Sequence, residues 1–154
     1  MKWSECKKRR FVKKVGVDKK LISSLIKISE DRLDVDNYAP LNETTAPIKV
    51  VNSYESLREI LEAVAISRGF KIYGHDCIAG FIAEVLKMPR EANQFNKFRI
   101  IRNGVNYYGR SVKLLDSKVL IKTFVLKVYE DINPILNSLR EGYTIAVIDI
   151  KTLK

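Results

Sequence analysis

Apolar residues recur at helical period through most of this chain, and each run meets a residue that starts or stops a helix. From His75 onward, Ile78, Phe81, Ile82, Val85 and Leu86 trace one stripe, and Pro89 then fits the first turn of a further helix. Asp18 is placed to cap a helix over about 19–36, with Leu21, Leu25 and Ile28 on its apolar side and Ile22 and Ile26 widening it. Asn52 and Glu55 have the spacing of a capping box for a second helix that Gly69 ends, with Leu57, Ile60, Leu61 and Val64 facing inward. The helix from Pro89 runs to Gly109. A fifth spans about 117–140 on Leu120, Phe124, Val128, Ile132, Ile135 and Leu139, and Pro134 is expected to bend or split it. The pattern predicts a mainly α fold, a bundle of about five helices.

Two segments break the helical rhythm. Residues 37–47 contain two prolines and read as a loop, followed by Ile48 to Val51 as a short strand. Residues 143–150 are rich in β-branched side chains and also read as a strand, paired with 48–51 or with a second subunit. With 154 residues, one substantial core is expected, organised as a basic arm (1–17), a bundle (18–142) and a strand-like C-terminal segment (143–154).

The net charge of +10 is uneven: the first twenty residues hold nine Lys or Arg against two acids, which leaves +3 for the remaining 134. In that arm Trp3 and Phe11 lie among Lys7, Lys8, Arg9, Arg10, Lys13 and Lys14, a mixture that can neutralise phosphates and offer a ring for stacking. A mobile solubilising tail is the plainer alternative. Cys6 and Cys77 lack any Cys-x-x-Cys or histidine spacing, so reduced thiols are expected, with Cys77 packing as a small apolar residue. Nothing in the pattern implies a metal or cofactor. No run approaches the roughly 20 apolar residues of a membrane span, and a cytoplasmic, membrane-free chain is the expectation. Glu55, Glu59 and Glu62 recur on one helix face and read as solvated charges or partners of Arg58 and nearby lysines. Phosphate-loop and Gly-x-Ser-x-Gly patterns are absent.

The chemistry concentrates in the helix from Pro89. Phe95, Phe98, Ile101, Val105 and Tyr108 are read as its packing stripe, and Arg99, Arg102, Asn103, Asn106 and Arg110 as projecting from the other side. Arginine supplies permanent planar donors for phosphate, and asparagine both donates to and accepts from a base or sugar. A solvated helix face is the bland alternative. Gly104 inside this helix costs about 1 kcal/mol relative to alanine, so a close helix contact or an approaching ligand should account for it.

Arg102-Asn103, three residues, then Tyr107 resembles the Arg-Asn-x-x-x-His signature of the HEPN family, small helical domains that include metal-independent ribonucleases and nucleotide-associated partner proteins. Ser67 to Asp76 is similar to that family's helix end, glycine-containing turn and His-Asp start of the next helix, so the resemblance covers about residues 53–112. It implies a homodimeric HEPN-like bundle binding RNA or a nucleotide, Arg102 on phosphate, and Asn103 orienting the ligand. Tyr107 stands where the family has histidine. A phenol of pKa about 10 stays protonated near neutrality where an imidazole of about 6.5 titrates, so Tyr107 is suited to stacking or hydrogen-bond donation. His75, the single histidine, is either structural at a helix start or a relocated acid/base working with Arg102 and Tyr107. The resulting expectation is an RNA- or nucleotide-binding module, with a metal-independent endoribonuclease and a helical partner of a small nucleotidyltransferase as alternatives.

Overall fold

The computed structural model describes residues 1–122 and 127–141. It is mainly helical, with two short strands among those residues. The order is α1 (Trp3–Lys8), β1 (Val12–Lys14), α2 (Lys19–Tyr38), α3 (Ala46–Ser67), β2 (Phe70–Ile72), α4 (His75–Gly80), a π-helical turn (Phe81–Val85), α5 (Pro89–Tyr108), α6 (Leu114–Leu120) and α7 (Lys127–Glu141).

α3 is the hub. It is buried along most of its length and packs against α2, α4, α5, α6, α7 and β2. Its residues Val50, Tyr54, Leu57, Leu61 and Val64 meet Ile22, Ile26 and Leu33 of α2 and Phe95 and Phe98 of α5 in one core. The α2 start follows the sequence reading: the Asp18 carboxylate accepts from the Leu21 N–H at 3.0 Å. Gly69 (φ 80°) and Gly109 (φ 58°) end α3 and α5 in the left-handed conformation that glycine adopts without strain.

Several expectations are corrected. Ile48 to Val51 is helical, part of α3, because Pro47 starts the helix earlier and Val50 is drawn into the core. Asn52 and Glu55 therefore lie inside α3 and cap nothing; Asn42 organises the turn before it, its carboxamide oxygen accepting from the N–H groups of Thr44 and Thr45 at 3.0 Å. Of the fifth helix, α6 ends at Leu120 and runs into π-helical backbone at 121–122, α7 begins at Lys127, residues 123–126 lie outside the described ones, and Pro134 lies within α7 without ending it. The strand expected at 143–150 lies outside the described residues.

The largest correction concerns the N-terminus. Residues 1–17 are not a free arm: α1 and β1 are docked, with Trp3 6% exposed and Cys6 fully buried. The Trp3 ring stacks edge-on to Phe70 at 5.3 Å and tilts against Phe81 at 5.5 Å, so it packs and is not offered to a ligand. β1 pairs antiparallel with β2, Val12 opposite Ile72 and Lys14 opposite Phe70. Gly80 permits the close approach, since a Cβ there would stand 2.8 Å from the Met1 carbonyl oxygen. Cys6 and Cys77, expected as free thiols, form a disulfide between α1 and α4.

That bond closes a loop with a sequence separation of 71. Replacing both cysteines by alanine is expected to lower the unfolding free energy by about 2–5 kcal/mol. Urea denaturation with and without reductant is the check; a midpoint indifferent to both would refute it.

Candidate functional site

The site grows from the buried face of α3. Glu55, Glu59 and Glu62 follow one another at helical spacing, and their side chains are only 6–13% exposed. A carboxylate so buried requires a counter-charge. Each has one: Arg58 reaches all three, at 2.7 Å to Glu55, 3.6 Å to Glu59 and 2.8 Å to Glu62. Neighbouring elements complete the network. Arg32 of α2 meets Glu59 at 3.0 Å, Lys71 of β2 meets Glu62, and Arg102 of α5 meets Glu55. These glutamates are ion-pair partners, as one reading of the sequence held, and not solvated charges.

Arg102 does not project from a polar face. It is 9% exposed, because it follows Phe98 by four residues and Phe95 by seven, which places it on the buried stripe of α5. Its guanidinium lies 5.3 Å from the Tyr54 ring centroid and 5.7 Å from that of Tyr107. One terminal nitrogen donates to Glu55, and the other to Asn103 at 3.0 Å and, at a long 3.5 Å, to the Tyr107 hydroxyl. Its Nε is buried with no hydrogen-bond partner among the described residues. Arg102 is thus a positioning residue, tied to a carboxylate and not free to take a phosphate.

The other residues separate. Tyr107 (68% exposed) and Asn106 lie on the surface, as does Tyr108, which was expected to pack. Arg99 is half-buried and donates to Asn96 at 3.0 and 3.1 Å. Arg110 lies over the Tyr108 ring at 5.7 Å and folds back on Gly104, where a Cβ would stand 3.2 Å from its Cδ. The Gly104 carbonyl accepts from the Arg110 N–H at 3.0 Å, so the returning chain accounts for that glycine.

Sequence reasoning missed Tyr54. It lies on the inward stripe of α3, fully buried, and a buried phenol needs a polar partner for its hydroxyl. The partner is His75: the Tyr54 hydroxyl lies 3.3 Å from its Nδ1. His75, Tyr54, Arg102 and Tyr107 therefore form one connected group, in which His75 is joined to Arg102 through Tyr54. Burial lowers the His75 pKa, and the charges of Arg58 and Arg102 add to that, so the imidazole is neutral at pH 7. Burial raises the Tyr54 hydroxyl, keeping it protonated against the pull of Arg102. Burial also pushes Glu55 upward, but hydrogen bonds from Arg58 and Arg102 outweigh it and hold the carboxyl below its usual range.

The basic N-terminal residues are held on the docked α1–β1 unit. Arg9 pairs with Glu5 at 2.7 Å and Lys13 lies 5.5 Å from the Tyr73 ring centroid. Lys7, Lys8, Arg10 and Lys14 are exposed and have no ion pair among the described residues. Also among those residues, no group of three or more His, Cys, Asp or Glu side chains is placed to hold a metal, and no helix is long and apolar enough to cross a membrane.

Comparison with protein-family models, curated proteins and solved structures gives no significant match. The HEPN-like resemblance therefore rests on the motif residues alone.

Two outcomes follow from this geometry. Arg102→Ala leaves Glu55 still paired with Arg58, so stability should fall by about 2 kcal/mol, short of the roughly 3–5 kcal/mol of a fully orphaned buried charge. For His75, whose folded pKa lies below the unfolded value of about 6.5, stability is full above that pH and declines as pH falls through it, because the unfolded chain takes up the proton first. Thermal melts from about pH 8 to pH 5 should show the decline in wild type and a shallower one in His75→Gln.

Proposed function

We propose that this chain is an RNA- or nucleotide-binding helical module of HEPN-like type, acting as a homodimer. The observation that carries it is a pair of exposed rings, each with a cation beside it, linked through His75. Tyr73 (57% exposed) sits beside Lys13, and Tyr107 beside Arg102. His75 follows Tyr73 by two residues and bonds Tyr54, over whose ring Arg102 lies. Exposed tyrosines stack on bases of any identity, and nearby cations meet the backbone. Phosphate contact falls to Lys7, Lys8, Arg10, Lys13, Lys14 and Arg110, while Arg102 orients Tyr107 and Asn103.

A second reading, a metal-independent endoribonuclease, is favoured by one observation: a neutral imidazole on a protonated phenol beside a buried guanidinium. A neutral His75 is a competent general base. In that case wild type cleaves a mixed RNA pool without metal and His75→Gln does not.

Deleting residues 1–15 would remove Trp3, Cys6 and Val12 from the core, so charge reversal is the sound test of binding. Lys8→Glu/Arg10→Glu/Lys14→Glu is expected to weaken single-stranded RNA binding and to flatten its log-log salt slope by about 0.7 per lost contact. Tyr107→Ala should weaken binding by about 1–3 kcal/mol with the slope unchanged. Fluorescence anisotropy over a salt series reads both; affinity indifferent to salt and to these substitutions would overturn the proposal.

A further inference from the structure

The outward face of the β1–β2 ribbon carries an aromatic surface built by both strands. Val12 and Ile72 lie opposite each other and are buried, so alternation along each strand turns Phe11, Lys13, Lys71 and Tyr73 to the other side. The pairing runs one step further: the Tyr73 N–H donates to the Phe11 carbonyl at 2.8 Å, which sets Phe11 directly across from Tyr73. The two side chains are 39% and 57% exposed. Phe11 is anchored at its base. Its N–H donates to the Cys6 carbonyl at 2.9 Å, Cys6 is bonded through sulfur to Cys77, and its side chain rests against Gly74, where a Cβ would stand 3.8 Å from its Cβ and Cγ. A ring fixed in this way and open to solvent is preorganised for stacking.

The turn before Phe11 says what this surface takes. α1 closes with the Arg10 N–H on the Lys7 carbonyl at 3.1 Å and the Phe11 N–H on that of Cys6, a pattern whose left-handed residue is most often glycine. Here it is Arg10, at φ 60°, one of two non-glycine residues with positive φ among the described residues. That conformation costs a residue with a Cβ free energy that glycine would not lose, and the exposed guanidinium gains no ion pair among the described residues in return. An unpaired cation kept at a strained position beside an exposed ring points to a ligand that brings the negative charge. Lys13 adds a second cation about 6.7 Å along the strand from Phe11, its ammonium 5.5 Å from the Tyr73 ring centroid. Lys71 is turned away to Glu62.

We propose that Phe11 and Tyr73 form a platform on which one unpaired base of a single-stranded RNA stacks, with Arg10 and Lys13 on the phosphates to either side. Rings side by side on one face make a surface and not a slot, so the base lies flat on them and its identity is not read. A duplex hides its base faces in its own stack, which makes an unpaired strand the ligand. Lys13 leaves the Tyr73 ring for phosphate, exchanging a weak contact at an exposed site for a charge-assisted one. The platform rests on the functional reading above and deepens it, bringing Phe11 and Arg10 into the site and naming the part of the ligand they hold.

Fluorescence anisotropy of the full chain with a labelled single strand of about ten alternating A and C residues tests it. Phe11→Leu keeps an apolar side chain against Gly74 but removes the ring, and should weaken binding about tenfold with the salt slope unchanged, as should Tyr73→Leu. Phe11→Tyr should restore it. A strand of the same length with abasic sugars presents the same phosphates, and should bind wild type and Phe11→Leu alike. Arg10→Gly should weaken binding and flatten the log-log salt slope by about 0.7 with no fall in melting temperature, since glycine suits that turn better. Salt-sensitive binding that Phe11→Leu leaves unchanged overturns the platform while the functional reading stands. An abasic strand bound as tightly as the normal one also overturns it, as does displacement of the strand by micromolar nucleoside monophosphate, which would make a free nucleotide the ligand. Absence of RNA binding by wild type overturns the functional reading, and the platform with it.

Discussion

Three buried carboxylates on the central helix govern how this protein is put together. Glu55, Glu59 and Glu62 cannot stay charged beside a core without counter-charges, and α3 supplies only Arg58 from its own face. The remainder arrive from elsewhere: Arg32 from α2, Lys71 from β2 and Arg102 from α5. Each neighbour is thereby fixed in register as well as packed. Apolar burial provides most of the stabilisation but is tolerant of sliding, whereas an ion pair between half-buried groups is not. The network belongs to the set of features that select one arrangement of helices among several that would bury similar area.

The same constraint reshapes the site. An arginine that looks free in sequence is held by Glu55 through one terminal nitrogen, and the other terminal nitrogen donates to Asn103 and Tyr107. Arg102 thus transmits the rigidity of α3 to an exposed aromatic ring. In the proposed function, positive charge for a polyanion comes instead from side chains on the docked N-terminal unit, whose backbone is fixed by the β1–β2 ladder. Within that proposal, the division of labour between a buried positioning cation and exposed contacting cations follows from burial, since a desolvated guanidinium is stable only beside its carboxylate.

Local signals were legible in the sequence and long-range ones were not. The α2 start at Asp18, the α5 start at Pro89 and the ends at Gly69 and Gly109 are set by neighbours within a few residues, and all appear in the structure. Ile48 to Val51 misled because β-branched composition is a weak preference, overridden when Pro47 opens a helix that Val50 can anchor. The β1–β2 pair and the Cys6–Cys77 bond join residues some sixty to seventy positions apart, for which no periodicity exists to read. Arg102 was misplaced for a subtler reason. Its spacing from Phe95 and Phe98 marks the buried stripe, but its polarity argued for the outside, and only knowledge of Glu55 across the helix pair resolves the conflict. Tyr54 was concealed in the reverse way, as an ordinary core aromatic whose hydroxyl gives the functional clue.

The packing of Trp3 has a practical consequence. It is the sole tryptophan of the chain, and it is enclosed by Phe70 and Phe81 on the unit that carries the exposed Lys7, Lys8, Arg10 and Lys14. Its emission colour reports whether that unit is seated or released, independently of the tyrosine-rich bundle beneath. The molecule thus carries an intrinsic optical gauge of its own N-terminal attachment, readable in dilute solution without any label.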